Sequence, residues 1–274
     1  MNDQKSINVS RAPHISRQYN HFQSSFEDID KADKYLNYGY TLAKGETLEQ
    51  KQRQLCLEVF KAANIQPDDV IVDVGFGSGE QDFLLASEYS FQKLNGFNIA
   101  DRQVEYARNR ARELNLTEKL VFHHGQAENM PQLAAQSVDK VIAIECAFYF
   151  QRPRFYQEAA RVMKPGGLLV LADITLSDVL HFLTPWTEEF KRAGSYSQNQ
   201  ADWEQYFQTQ SVKPITRYTR PGAQMAVFQI LKWLPTMPAA TRITWLKMAV
   251  ITQLVVLGFL TDLIRYDLVV LTRK

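Results

Sequence analysis

The chain has 274 residues, of which 45% are hydrophobic and 22% charged, and its formal net charge is +1. This composition is typical of a globular protein, and the near-neutral charge argues against nucleic acid as a partner. The two cysteines, Cys56 and Cys146, give neither a disulfide framework nor zinc-site spacing, so we expect a reducing, cytoplasmic environment. The polar N-terminus lacks a signal core, and the uncharged stretch 248–261 is too short to predict a stable membrane span.

The first 45 residues are predicted to form an aromatic-rich lid segment. Its first 18 residues are polar and irregular, and tyrosines and phenylalanines cluster over residues 19–42. Apolar residues at helical spacing over residues 46–63, with Thr47 as a capping residue, predict the helix that follows.

Strand and helix patterns alternate from residue 70 to residue 174. The predicted strands are 70–74, 93–99, 120–124, 138–144 and 168–174, and the predicted helices are 80–89, 102–114 and 153–163. Such alternation predicts an α/β fold with a Rossmann-like, doubly wound sheet. Helices within 183–207, a strand at 214–220, two apolar helices at 224–234 and 241–257 and a last strand at 265–272 complete a seven-stranded sheet with a helical cap. The predicted units are therefore a core of 46–182 and 262–274, and a cap and substrate-binding insert of 183–261.

The first strand leads directly into Gly75-Phe76-Gly77-Ser78-Gly79-Glu80. Glycine has no Cβ, so a ligand can approach such a turn closely at the carboxyl end of the strand. The dinucleotide fingerprint needs a glycine where Glu80 stands, and the carboxylate of Glu80 would repel a pyrophosphate. This argues against a nucleotide-binding oxidoreductase and favours a ligand with an amino group and a sulfonium.

Residues 70–80, the turn Lys164-Pro165-Gly166-Gly167 and the closing strand resemble class I S-adenosylmethionine-dependent methyltransferases. The resemblance covers residues 46–174 and the last strand, and it implies S-adenosyl-L-methionine as the cofactor. Residues 97–103 and 144–150 are similar to small-molecule members, namely macrolide-sugar O-methyltransferases and, more distantly, cyclopropane-fatty-acid synthases and tocopherol methyltransferases. A role in secondary metabolism is therefore expected.

The same resemblance implies the residues of the cofactor site. They are Asp73, Gly75, Gly77, Gly79, Asn98, Ile99, Gln103, Gln126, Ala127 and Glu145. In this assignment Asn98 replaces the acid with which many members hold the ribose hydroxyls, and Gln103 takes a second polar role. The turn formed by Gln126 and Ala127 would meet the adenine.

The predicted catalytic residues are Glu145, Tyr149 and His181. Related O-methyltransferases often have a histidine where Tyr149 stands, and tyrosine, with a reference pKa near ~10, is a poor base at neutral pH. The other base candidates are His123, His124 and Asp173, and a structural role is favoured for the two histidines. The predicted acceptor-side residues are Tyr35, Tyr38, Phe148, Tyr149 and Trp186, although such aromatic residues are equally often part of a core.

These observations predict methyl transfer to a small, hydrophobic acceptor, with O-methylation as the first hypothesis. C- or N-methylation or cyclopropanation of a lipid-like acceptor is the alternative, and a non-catalytic S-adenosylmethionine-binding protein is another. The apolar helix near residues 245–259 is expected to be buried or to form a homodimer contact, in preference to a lipid-facing role.

Overall fold

A computed structural model describes residues 15–17, 20, 35–183, 193–237 and 239–274. These residues form one seven-stranded sheet, in the order β3-β2-β1-β4-β5-β7-β6. The strands are β1 (Val70–Val74), β2 (Lys93–Asn98), β3 (Leu120–His124), β4 (Val138–Ile144), β5 (Met163–Leu176), β6 (Phe207–Pro214) and β7 (Ile264–Arg273). Strands β1 to β5 are parallel, and β7 lies antiparallel between β5 and β6. The predicted fold class is confirmed.

Helices cover both faces of the sheet. They are α1 (Leu48–Ala63), α2 (Glu80–Glu88), α3 (Asp101–Glu113), α4 (Arg152–Val162), α5 (Asp178–Leu183), α6 (Tyr196–Trp203), α7 (Thr216–Trp233) and α8 (Ala239–Leu260). Successive strand residues face opposite sides, so Ile71 belongs to one apolar cluster and Val72 to the other. The near-continuous apolar character of β1 follows from this double burial.

The strand predicted at 214–220 is wrong. Strand β6 ends at Pro214, and helix α7 begins at Thr216, eight residues before the predicted helix. Ile215, Thr219 and Ala223 are buried at helical spacing, and this tertiary burial outweighs the strand propensity of the β-branched and aromatic residues around them. Strand β6 also lies inside the predicted cap, yet it is an edge strand of the sheet.

The described end of the lid segment is fixed to α1 and α7. The Tyr40 N–H donates to the Lys51 carbonyl over 2.7 Å, and the Tyr40 ring stacks on Tyr218 with centroids 4.4 Å apart. A Cβ on Gly222 would lie 1.7 Å from the Tyr38 carbonyl oxygen. Glycine at this position of α7 therefore allows the lid backbone to approach the cap.

Among the described residues, one helical stretch, Arg242–Leu260 in α8, is long and apolar enough to cross a membrane. Only the length and the apolar composition of the helix indicate this, and core helices of globular proteins can be equally long and apolar. One side of α8 is buried against the protein and its other side is exposed, so the expected burial holds for one side, and the expected homodimer contact stays a prediction.

Candidate active site

A cleft opens where β1 and β4 end, at the point where the strand order reverses. It encloses about 680 Å³, part of which is open to solvent. Its walls come from the glycine loop after β1, the end of β2, the loop after β4 and the lid segment. Ligands of open α/β sheets bind at this position, beyond the carboxyl ends of the strands.

The three glycines after β1 have different tasks, although all have positive φ. A Cβ on Gly75 would lie 2.6 Å from the Cβ of Cys146, so this glycine lets the loops after β1 and β4 touch. A Cβ on Gly77 would have only Leu36 nearby, at 3.5 Å, and would point into the cleft. A Cβ on Gly79 would lie 3.1 Å from the Cβ of Ala107, so Gly79 serves helix packing and does not line the cleft.

Asn98 and Gln103 form a polar wall of the cleft. The Asn98 Nδ2 donates to the Gly77 carbonyl over 3.1 Å and to the Gln103 Oε1 over 2.9 Å. The Gln103 Nε2 is buried and has no hydrogen-bond partner among the described residues. A buried donor without a partner is costly, so this amide is suited to a hydroxyl or carboxylate oxygen of a ligand. Ile99 lines the cleft beside them.

Asp73 lies beneath the glycine loop and does not line the cleft. Its Oδ2 accepts a hydrogen bond from the Gln81 Nε2 over 2.5 Å, and Gln81 lines the cleft. Burial raises the pKa of Asp73 to about 6, and burial beside Asp73 raises the pKa of Asp82 well above its ordinary value. Because Asp73 holds Gln81, which lines the cleft, the structure gives Asp73 a positioning role through Gln81.

Glu145 occupies the opposite end of the cleft in a left-handed backbone conformation, with φ of 50°. Its Oε1 accepts hydrogen bonds from the Tyr38 N–H over 2.6 Å and from the Tyr266 hydroxyl over 2.8 Å. Burial raises the pKa of Glu145 to about 8, and the two hydrogen bonds oppose this shift. A positive φ in a non-glycine residue costs stability, and such strain is often found at functional sites.

A family model described as "Methyltransferase domain" matches residues 65–220, which is more than half of the chain. The chain belongs to this methyltransferase family. Its resemblance to class I S-adenosylmethionine-dependent methyltransferases is thereby confirmed, and S-adenosylmethionine is its cofactor.

This methyltransferase is similar in sequence to two curated relatives and in fold to one solved structure. Erythromycin 3''-O-methyltransferase of Saccharopolyspora erythraea is 33% identical over 146 residues, which cover 53% of this chain and 47% of the relative. The 27-O-demethylrifamycin SV methyltransferase of Amycolatopsis mediterranei is 29% identical over 196 residues, which cover 68% of this chain and 71% of the relative. The crystal structure of the [4+2]-cyclase SpnF has a TM-score of 0.78 at 17% identity and covers 95% of each chain. At that identity the likeness concerns the fold alone.

The donor side of the cleft fits the cofactor. The Gln103 amide supplies a free donor, Asn98 holds the Gln103 side chain in place through its Oε1, and Gly77 leaves room where a Cβ would intrude. Gln126 and Ala127 do not line the cleft. The residue before them, Gly125, donates its N–H to the Asn98 carbonyl at the end of β2, which places this turn beside the cleft wall. Their role toward the adenine stays a prediction.

The structure brings some of the predicted acceptor-side residues to the cleft and leaves others outside. Tyr35 and Tyr149 line it, whereas Phe148 packs on the core and on the Tyr149 ring, with centroids 4.3 Å apart. Tyr38 contributes its backbone N–H to Glu145, and its ring packs edge-on against Phe259. Trp186 lies outside the described residues.

His181 was expected to serve the reaction, and no contact among the described residues supports this role. It lies in α5, where its N–H donates to the Ser177 carbonyl and its side chain lies near Asp178. It does not line the cleft. Strand β5 continues to Leu176, two residues beyond the predicted strand, and α5 begins at Asp178.

The remaining base candidates also have structural partners. A ring nitrogen of His123 lies 3.1 Å from Asn95 Oδ1, and a ring nitrogen of His124 lies 3.0 Å from the Ile99 carbonyl. Asp173 forms a buried ion pair with Arg152 over 2.8 Å. Of the base candidates, Glu145 is the one that lines the cleft.

Sequence reasoning missed the residues that hold Glu145. Tyr266 stands in β7, opposite Ile174 of β5, and is fully buried with its hydroxyl on Glu145. A tyrosine just before the aliphatic run of the last strand was the available signal, because a buried tyrosine hydroxyl needs a partner. Leu36 and Asn37 also line the cleft, and no motif marked them.

Proposed function

We propose that this methyltransferase transfers a methyl group to a hydroxyl group of a small, hydrophobic acceptor. The observation that carries the proposal is the carboxyl group of Glu145. It lies at the cleft, opposite the polar donor wall, with a pKa raised to about 8. A base with a pKa near the working pH is the most effective for removing a proton from an alcohol.

S-adenosylmethionine supplies a methyl group that is already activated by its sulfonium, so the protein mainly aligns the acceptor, excludes water and receives a proton. Gln103, held by Asn98, binds the cofactor on the donor side of the cleft, and Gly77 leaves space for the cofactor. Both hydrogen bonds to Glu145 reach Oε1, which leaves Oε2 for the acceptor hydroxyl. The acceptor proton moves to the Glu145 carboxylate as the new oxygen–carbon bond forms.

The walls of the cleft support an apolar acceptor. The cleft that holds Glu145 is also lined by Tyr35, Leu36, Tyr149 and Phe150, and aromatic and aliphatic walls with few polar groups are typical of small-molecule sites. Both curated relatives carry names that state an O-methyltransferase activity or an O-demethylated substrate, which agrees with this proposal.

The proposal is tested with S-adenosylmethionine labelled by carbon-13 in its methyl group. Erythromycin-type and rifamycin-type acceptors with free hydroxyls are incubated with the enzyme beside vesicles of unsaturated phospholipid, and products are identified by NMR. We expect an O–CH₃ signal with a hydroxylated acceptor and none when that hydroxyl is blocked. Label found as C-methyl, N-methyl or cyclopropane carbon would contradict O-methylation and support the alternative chemistry.

A further inference from the structure

Helix α8 exposes a continuous aliphatic surface. Its members follow one another at three- or four-residue intervals, which places them on one side of a helix. They are Ile243, Leu246, Val250, Leu254 and Leu257, and each side chain is between 45% and 65% exposed. We call these five residues the cap stripe; it is about 21 Å long at 1.5 Å per residue. A contiguous exposed apolar surface of this length indicates an interaction site.

The other side of α8 is fixed to the protein. Trp245, Ala249, Val256 and Phe259 are buried, and the helix leads within four residues into β7 of the sheet. A Cβ on Gly258 would lie 2.4 Å from Ile264, so the end of the helix is packed tightly on that strand. The inner side of the helix is apolar because it meets the core, but this does not account for the exposed cap stripe on the other side. Because this inner side is packed against the protein, α8 cannot cross a bilayer alone. The exposed cap stripe can lie along the surface of a bilayer.

The charge around the stripe has one sign. Residues 205–261 contain no aspartate or glutamate and six basic residues, whereas the rest of the chain has 25 basic and 30 acidic residues. Lys232, Arg242 and Lys247 are exposed, and they lie at the end of α7 and in the first turns of α8, where the stripe begins. The cap is thus basic in a chain that is otherwise acidic.

This charge pattern distinguishes between two candidate partners of the cap stripe, a second copy of the chain and an anionic lipid surface. A symmetric dimer would place the same patch of each copy against the other, and the basic residues of two caps would meet without acidic partners from residues 205–261. An anionic lipid surface offers the opposite charge, together with an apolar layer for the aliphatic side chains. We propose that the cap stripe docks this protein on the surface of an anionic phospholipid bilayer, with α8 lying along the interface.

The docked helix would lie directly behind the cleft. Its inner side chain Phe259 contacts the Tyr38 ring, with centroids 6.5 Å apart, and Thr252 hydrogen-bonds the Tyr38 side chain. Tyr38 in turn donates its N–H to Glu145. One layer of side chains therefore separates the proposed lipid contact from the acceptor end of the cleft. The docking itself does not depend on which atom is methylated.

The test is co-sedimentation of the whole protein with vesicles. Vesicles of one part phosphatidylglycerol to three parts phosphatidylcholine are compared with pure phosphatidylcholine at physiological salt. We expect the wild-type protein to bind the anionic vesicles, and L246Q/L254Q to bind them at least tenfold less tightly, because two half-exposed leucines lose their apolar contact. K232S/K247S should weaken anionic binding by roughly 30-fold, since each basic residue near such a surface adds about 1 kcal/mol.

The matched control is L114Q, which changes a leucine that is 41% exposed at the end of α3, outside the cap. It should bind vesicles like the wild type, and circular dichroism melting should show all variants folded. Wild-type protein that ignores anionic vesicles, or a double leucine variant that binds them unchanged, would overturn the proposal. A vesicle-free dimer that L246Q/L254Q converts to a monomer would place a second copy on the stripe and would also overturn it. Retention in the membrane after alkaline carbonate extraction would contradict a helix that lies along the surface.

Discussion

Replacing Glu145 by glutamine tests whether this carboxyl group is protonated in the folded enzyme at neutral pH. Glutamine keeps an Oε1 that accepts from the Tyr38 N–H and the Tyr266 hydroxyl, so the two hydrogen bonds and the side-chain volume persist. The substitution removes only the titration. Its effect on stability should therefore depend on pH.

The magnitude follows from the raised pKa. Burial lifts the pKa of Glu145 from 4.5 to about 8, so the folded state holds a proton that the unfolded state has already lost. The resulting stabilisation is full below pH 4.5 and disappears as the pH rises through 8. Integrated between pH 5 and pH 9, this amounts to at most about 4 kcal/mol. Because the side chain is half-buried and borders a water-accessible cleft, we expect about 2 kcal/mol in the free enzyme.

The assay is urea unfolding of wild-type protein and Glu145→Gln at pH 5, 7 and 9. The variant should gain stability relative to the wild type as the pH rises, by about 2 kcal/mol over the whole range. Asp73 and Asp173, whose pKa values are also raised by burial, titrate in both proteins and cancel in the difference. A difference that stays constant within about 0.5 kcal/mol from pH 5 to pH 9 would refute the raised pKa.

Three further substitutions address the two ends of the cleft. Gly77→Val should abolish S-adenosylhomocysteine binding in calorimetry, because its side chain would enter the cleft; Gly166→Val, with similar positive φ and open space around it, should bind normally. Gln103→Leu should weaken the same binding about 3- to 10-fold, since it removes the unpartnered buried donor, and unchanged affinity would exclude a contact with this ligand. Tyr149→Phe should lower kcat more than the affinity for S-adenosylhomocysteine, and equal losses would argue against an acceptor-side role; His181→Ala, outside the cleft, should change neither.

The α/β core and the donor side of the cleft could be predicted because they depend on local pattern. The β-branched run before Gly75 and the glycine at position 77 are determined by neighbours in the sequence, and both stand where the pattern placed them. Gly79 shows the limit of that reasoning. Its spacing matches the motif, but a Cβ on Gly79 would point toward Ala107 of α3. Only the packing of α2 on α3 reveals this contact.

The acceptor side could be predicted only in part because it is assembled from distant segments. Glu145 was recognised, but the two groups that hold it come from residues 107 and 121 positions away. No local pattern specifies such pairings. The place of His181 likewise depends on where β5 ends, which is two residues beyond the predicted strand.

The pH dependence of kcat/KM for the wild type and for Glu145→Gln, measured with a hydroxylated acceptor that accepts label, tests the central claim most directly. The wild-type kcat/KM, which reports the free enzyme, should rise with pH through an apparent pKa near 8, because Glu145 must be ionised to receive the acceptor proton. Glu145→Gln should have a kcat/KM lowered by about 10²-fold or more, without this rise. A variant that keeps the wild-type kcat/KM and the wild-type pH profile would contradict the role of Glu145 as the base.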